Sequence, residues 1–202
     1  MLALILGGAS SGKSMFAQIL IKKLSYENNG DLFYLATMVP VDDEDRLRVQ
    51  KHVDERSGWG FASIEEGYNL GNCISKVSSG GSVLFDSVTS YVQNALFSGH
   101  PSVASMGSED IAQSILNISK ACSNMAVVSD YIFSDAERHS AEVENYRKTM
   151  GQVHQMIAHE AGLVIECAYG FAIAHKNTAN YPLGNIAGEL QAASVNSGSE
   201  LR

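Results

Sequence analysis

The sequence predicts an α/β fold in which a mostly parallel β-sheet is flanked by helices. Three observations predict it. Short apolar runs, such as LALIL at 2–6 and SVLFD at 82–86, alternate along the chain with longer helix-like segments. Those runs have no alternating polar face, which suits strands covered on both sides. The first run passes directly into the glycine-rich GGASSGKS and then a helix-like stretch, the layout of a βα unit.

Taken in order, a strand is expected over 2–6 and a helix over 13–24, ending before SYENNGD. LFYLAT (32–37) reads as the second strand, and the charged segment 41–56 as a helix that SGWG stops. The third strand is 82–86, followed by the helix-like SVTSYVQNALF, a loop over 98–108 and a helix over 109–123. MAVVS (125–129) is the fourth strand. A long helix over 136–160 leads to GLVIEC (162–167) and FAIAHK (171–176). Strand–helix alternation implies right-handed crossovers between parallel strands. One catalytic domain over 1–176 is expected, with a tail over 177–202 that is partly helical at NIAGELQAAS and loose at its end.

At 202 residues and 45% hydrophobic, the chain can build one real core. Its 14 basic and 22 acidic residues leave a net charge of −8, which excludes a general nucleic-acid-binding footprint. An anionic ligand must be met by a local site. Cys73, Cys122 and Cys167 are widely spaced and form no CxxC pair. They read as buried free thiols in a reducing compartment. The first apolar run lacks a cleavage-like end and no stretch has membrane-spanning length, so a cytoplasmic protein is expected.

Gly7, Gly8, Ala9, Ser10, Ser11, Gly12, Lys13 and Ser14 fit G-x-x-x-x-G-K-[ST], between a strand and a helix as that pattern requires. Glycines let successive backbone N–H groups converge on phosphate oxygens, and the helix N-terminus adds partial positive charge. Lys13 would reach the β/γ-phosphates of ATP or GTP and Ser14 would ligate Mg²⁺. The same stretch holds Gly8-Ala9-Ser10-Ser11-Gly12, a G-x-S-x-G nucleophile elbow, but an elbow has no use for a lysine at this spacing. Asp86, ending its apolar strand, is the candidate second acid beside the metal. Its competing role is N-cap of the helix that follows.

Glu44, Arg48 and His52 stand four residues apart, on one face of the charged helix. A solvated ion pair beside a surface histidine would have the same spacing. Near a nucleotide, a neutral imidazole can instead attack phosphorus and carry a nucleotidyl group, with Arg48 steadying the phosphate charge.

Several segments together resemble the bifunctional adenosylcobinamide kinase/adenosylcobinamide-phosphate guanylyltransferases of cobalamin biosynthesis. They are the early GGASSGKS, YLAT (34–37), and RVQKH (48–52) followed by Arg56, similar to R-[IV]-x-x-H-x-x-x-R. Next come Asp86, Thr89, Tyr91 and Asn94 of DSVTSYVQNALF, similar to D-x-x-T-x-[WY]-x-x-N-L. YRKTMGQVHQ (146–155) resembles F-R-D-x-x-G-x-x-N-Q, and Gly170 and Lys176 keep the spacing of the last strand.

The resemblance implies a RecA-like P-loop NTPase fold, a homotrimer and two reactions. A nucleoside triphosphate phosphorylates the hydroxyl on the corrinoid's aminopropanol arm. GTP then guanylylates His52, which passes GMP to the new phosphate. By position, Lys13 and Asp86 act with His52, and Glu65 stands for the acid of R-P-x-x-W-x-T-x-E among the nucleotide-binding residues.

The chain departs from the family pattern after the fourth strand. Ser129-Asp130-Tyr131-Ile132 replaces N-E-V-G, and the G-x-V-P that follows is missing. Two other readings of the residues stay open. One is a P-loop kinase of another small metabolite and the other a non-catalytic nucleotide-binding module. His100, His139, His154, His159 and His175 read as structural or surface residues, since their spacing makes no zinc site. Arg147 and Lys176 are cations that could touch phosphate or stay solvated.

Overall fold

The computed structural model describes residues 1–133, 138–184, 186 and 188, with side chains except those of Arg48, Lys51, His52 and Glu55. Its elements are β1 (Leu2–Gly7), α1 (Lys13–Glu27), β2 (Leu32–Ala36), α2 (Asp43–Glu55), β3 (Ala62–Glu65), α3 (Gly71–Ile74) and β4 (Ser82–Asp86). They continue as α4 (Val88–Phe97), α5 (Ser108–Ala121), β5 (Asn124–Asp130), α6 (Ala141–Glu160), β6 (Leu163–Ala168) and β7 (Phe171–Asn177).

The strands form one sheet in the order β3-β2-β4-β5-β1-β6-β7. Every neighbouring pair is parallel except β6 and β7, a hairpin turned by Tyr169 and Gly170. β1 therefore lies inside the sheet, and its apolar run is buried on both faces. Ala3 and Ile5 join Leu84, Ala126, Val128 and Ile165 under α1. Leu4 joins Phe85, Val127 and Val164 under the side chains of α4, α5 and α6. This two-faced burial explains why the central strands carry no polar alternation. The parallel strands deliver their C-terminal ends to one edge, where ligands of open α/β sheets bind.

The structure corrects several sequence expectations. The run at 82–86 is the fourth strand, because β3 precedes it at the sheet edge. Only Ile64 of β3 is buried. α1 runs on to Glu27, three residues past its expected end. The helix expected from 136 begins at Ala141 instead, where the Ser140 hydroxyl accepts from the Val143 N–H and Glu142 and Glu144 meet the helix dipole. Thr37 lies beyond β2, its hydroxyl committed to a loop. All three cysteines are buried and free.

The early tail is tied down. Asn177 exchanges hydrogen bonds with the Tyr181 backbone, and Ile186 is fully buried against the α1 side of the sheet. Most of the predicted NIAGELQAAS helix, and the loose end, lie outside the described residues.

Candidate active site

The loop between β1 and α1 is shaped by three backbone requirements. A Cβ on Gly7 would collide with the Ser11 hydroxyl and the Cys167 carbonyl oxygen. Gly12, the N-cap of α1, sits at φ +89°, and Ser10 at φ +55°. No side chain caps α1, which leaves its first-turn N–H groups to a ligand. Gly8, Ala9 and Ser10 are exposed at the mouth and Ser11 is buried. Lys13 folds back over the loop, donating to the Gly8 carbonyl at 3.1 Å and pairing with Asp130 at 2.8 Å.

Asp86 ends β4 two strands away from β1. It is not the helix cap. Ser87 fills that role, its hydroxyl accepting from the Ser90 N–H. The Asp86 carboxylate accepts from the Tyr34 hydroxyl at 2.6 Å through Oδ2, and Oδ1 has no protein donor among the described residues. Arg56 is buried with its guanidinium 3.4 Å from the centre of the Tyr34 ring, a cation–π stack. Thr37 locks the turn after β4 by donating to the Ser87 carbonyl and accepting from the Ser87 N–H, at 2.7 and 2.9 Å. Asn94 donates to the carbonyls of Thr37 and Gly67 at 2.8 and 2.9 Å. The threonine of YLAT and the asparagine of DSVTSYVQNALF thus stitch the loops after β2, β3 and β4 together.

Asp130 is the site residue that sequence reasoning missed. It ends β5, in register with Gly7, and its N–H donates to the Thr89 hydroxyl at 2.9 Å. Behind it, Ser129 Oγ lies 2.7 Å from His154 Nε2 and 3.4 Å from the Thr89 hydroxyl. Burial pulls the His154 pKa down to about 4, although the nearby Asp130 charge pulls the other way. The imidazole is therefore neutral at pH 7. The available signal was positional: an acid closing an apolar parallel strand, as Asp86 does.

Lys13, Ser14, Asp86 and Asp130 line one cavity of about 490 Å³, together with Tyr34, Arg56, Thr89 and Asn94. Helix α2 supplies Asp45 and Val49 to its wall. Residue 52 follows Val49 by three positions and precedes Arg56 by four, which is the same helical face. The side chains of His52 and Arg48 are outside the described set. Glu65 is exposed at the end of β3, paired in register with Ala36, and is not among the cavity-lining residues.

None of the other histidines lines the cavity. His100 stacks on Tyr68, His159 meets Glu160, and His175 meets Glu166. The Lys176 ammonium donates to the carbonyls of Ala158 and His159 at the C-terminus of α6, a capping role.

Among the described residues no three His, Cys, Asp or Glu side chains gather into a metal site. Mg²⁺ bound with a nucleotide needs less, because waters and phosphates complete its octahedron around one or two protein oxygens. The Ser14 hydroxyl and the free Oδ1 of Asp86 are hard oxygen donors in one cavity, so this donor set fits.

Between β1 and β2 stand β5 and β4, and the phosphate loop, the β4 acid and the β5 acid share one edge. The fold and site together define a P-loop α/β protein with a mostly parallel sheet. A family model for cobinamide kinase / cobinamide phosphate guanyltransferase matches residues 3–174, and the chain belongs to that family. The family couples a kinase and a guanylyltransferase in cobalamin biosynthesis. No curated protein matches the chain. Among solved structures, the KaiC-like protein PH0186 from the hyperthermophilic archaeon Pyrococcus horikoshii OT3 is similar at 15% identity and a TM-score of 0.42, over 82% of this chain and 69% of that one. The flagellar accessory protein FlaH from Methanocaldococcus jannaschii is similar at 14% identity and a TM-score of 0.47, over 90% of this chain and 80% of that one. No helix among the described residues is long and apolar enough to cross a membrane.

Proposed function

We propose that this chain phosphorylates adenosylcobinamide and then transfers GMP from GTP, through a guanylyl-histidine at His52, to give adenosylcobinamide-GDP and pyrophosphate. The observation that carries this reading is the shared cavity: phosphate loop, Asp86 and one face of α2 enclose the same space. Lys13 and the α1 N-terminus hold the β/γ-phosphates. Ser14 and Asp86 would hold Mg²⁺, which would supply charge neutralisation at the phosphate oxygens. Arg48, one helical turn before His52 in sequence, would steady the charge of the α-phosphate. A neutral imidazole nitrogen attacks that phosphorus and pyrophosphate leaves, and phosphate of the phosphorylated corrinoid then displaces the imidazole.

A cavity of about 490 Å³ suits a nucleotide, whereas a corrin ring system must remain outside it. Only the hydroxyl-bearing arm enters. A trimer whose neighbouring subunit covers the ring would complete the substrate site, and a purely monomeric mass in solution would remove that part of the reading.

The test is incubation with α-labelled GTP and Mg²⁺. The expected product is an acid-labile, base-stable protein–GMP adduct that His52→Ala abolishes while nucleotide binding persists. An undiminished adduct in that variant removes His52 as acceptor. A protein that phosphorylates a small acceptor yet never forms the adduct is a kinase alone, and one that binds without turnover is a nucleotide-binding module.

A further inference from the structure

From its place between the two nucleotide-binding strands, we infer that Asp130 is the proton acceptor of the phosphoryl-transfer step, held by Lys13 until a triphosphate takes that lysine away. The inference rests on the kinase reading above and goes beyond it by naming the base.

Three observations carry it. Asp130 stands at the C-terminal end of β5, between the phosphate loop on β1 and Asp86 on β4. Its backbone is fixed on both sides, since its own N–H donates to Thr89 and the next N–H, of Tyr131, donates to the Gly7 carbonyl at 3.0 Å. Its carboxylate has one donor among the described residues, the Lys13 ammonium at 2.8 Å.

The two acids at this edge are therefore dressed differently. Asp86 carries a hydroxyl donor on one oxygen and leaves the other to face a cation. Asp130 has only a lysine that the nucleotide competes for. A triphosphate offers Lys13 several negative oxygens at close range, and the ammonium cannot stay centred on Asp130 while it clamps them. Moving Lys13 strips Asp130 of its counter-charge and leaves its carboxylate oxygens open to accept a proton. The base is thereby exposed only once its reaction partner is seated.

The acceptor hydroxyl oxygen forms a bond to the γ-phosphorus, and its proton passes to an Asp130 oxygen. The bond from the γ-phosphorus to the β–γ bridging oxygen breaks, and the nucleoside diphosphate leaves with that electron pair. Guanylylation makes no such demand, because a neutral imidazole attacks through a lone pair that bears no proton.

Asp130→Asn tests this with cobinamide as acceptor and ATP or GTP as donor. The expected result is a fall in phosphorylation of at least ~100-fold, the usual weight of a general base. Nucleotide affinity should rise at the same time, because Lys13 no longer leaves an ion pair, and the GMP adduct should fall far less than phosphorylation does. Asp130→Glu should recover part of the lost rate. Phosphorylation by Asp130→Asn within about threefold of wild type overturns the assignment, well short of the loss a base should show. Nucleotide binding lost in parallel with turnover overturns it too, since that is the mark of a scaffold residue. Wild-type protein that never phosphorylates cobinamide overturns the kinase reading itself, whereas a working wild type with an equally active Asp130→Asn sinks only this proposal.

Discussion

The phosphate end of the site and the α2 wall are built by opposite means. At the phosphate end Asp86 and Asp130 project from the termini of strands buried on both faces, Lys13 and Ser14 from the first turn of α1, and backbone registers fix Gly7, Asp86 and Asp130 against one another. Helix α2 buries no described side chain along its length. It is held near its two ends, by the Asp42 side chain that caps it and by Arg56 stacked on Tyr34. The difference matches the two chemistries. Under the proposed function, a phosphate cradle serves both reactions and gains from preorganisation, whereas a nucleotidyl carrier is needed in one reaction and must stand clear in the other.

Breaking the fixed region should therefore abolish both activities, and breaking the arm only one. Lys13→Ala removes the ammonium that reaches across the loop, and each activity should fall about 100- to 1000-fold, the cost of losing one preorganised charge donor. Steady-state phosphorylation and adduct formation, measured side by side, check this. A Lys13→Ala protein that phosphorylates at the wild-type rate would mean that the two reactions do not share a cradle.

The next largest effect falls on stability in the fixed region. His154 is buried with its pKa pulled to about 4, against about 6.5 when unfolded. On acidification the unfolded chain takes up this proton first, so the native state is favoured in full above pH 6.5 and loses that advantage as the pH falls toward 4. The loss sums to about 3 kcal/mol across that window. Urea unfolding at pH 7 and pH 4.5 should show a clearly smaller pH dependence in His154→Asn than in wild type. Equal slopes would mean that the imidazole is not held neutral.

How much of this was legible in the sequence depended on how local each constraint is. The phosphate loop was readable because its requirements lie within eight neighbouring residues, from Gly7 to Ser14. β1 and β4 were readable because burial on both faces leaves an unbroken apolar run. β3 was not, since an edge strand with Ile64 as its only buried side chain has no periodicity to see. The start of α6 was overrun because the residues ahead of Ser140 include helix formers, although serine before an acidic first turn marks an N-terminus. Asp130 was missed because its meaning comes from Lys13, a partner distant in the chain that only the β1–β5 pairing brings near. Glu65 was placed by pattern alone, and the strand that carries it points it to solvent.

The smallest expected effect sharpens the comparison most, because it touches the arm without touching the site. The Asp42 side chain accepts from the Asp45 N–H at 2.8 Å, and Asp43, Glu44 and Asp45 crowd the first turn with charge that the helix dipole favours. Asp42→Ala should cost α2 about 1 kcal/mol, the usual weight of such a cap. If α2 is a locally held arm, that cost appears as faster amide hydrogen exchange within α2 and leaves exchange in β1, β4 and β5 unchanged. Adduct formation should then slow a few-fold while phosphorylation keeps its rate, because in the proposed function this helix serves the nucleotidyl transfer alone. An equal slowing of both reactions would show that α2 and the phosphate end unfold as one unit, and the division between scaffold and arm would be lost.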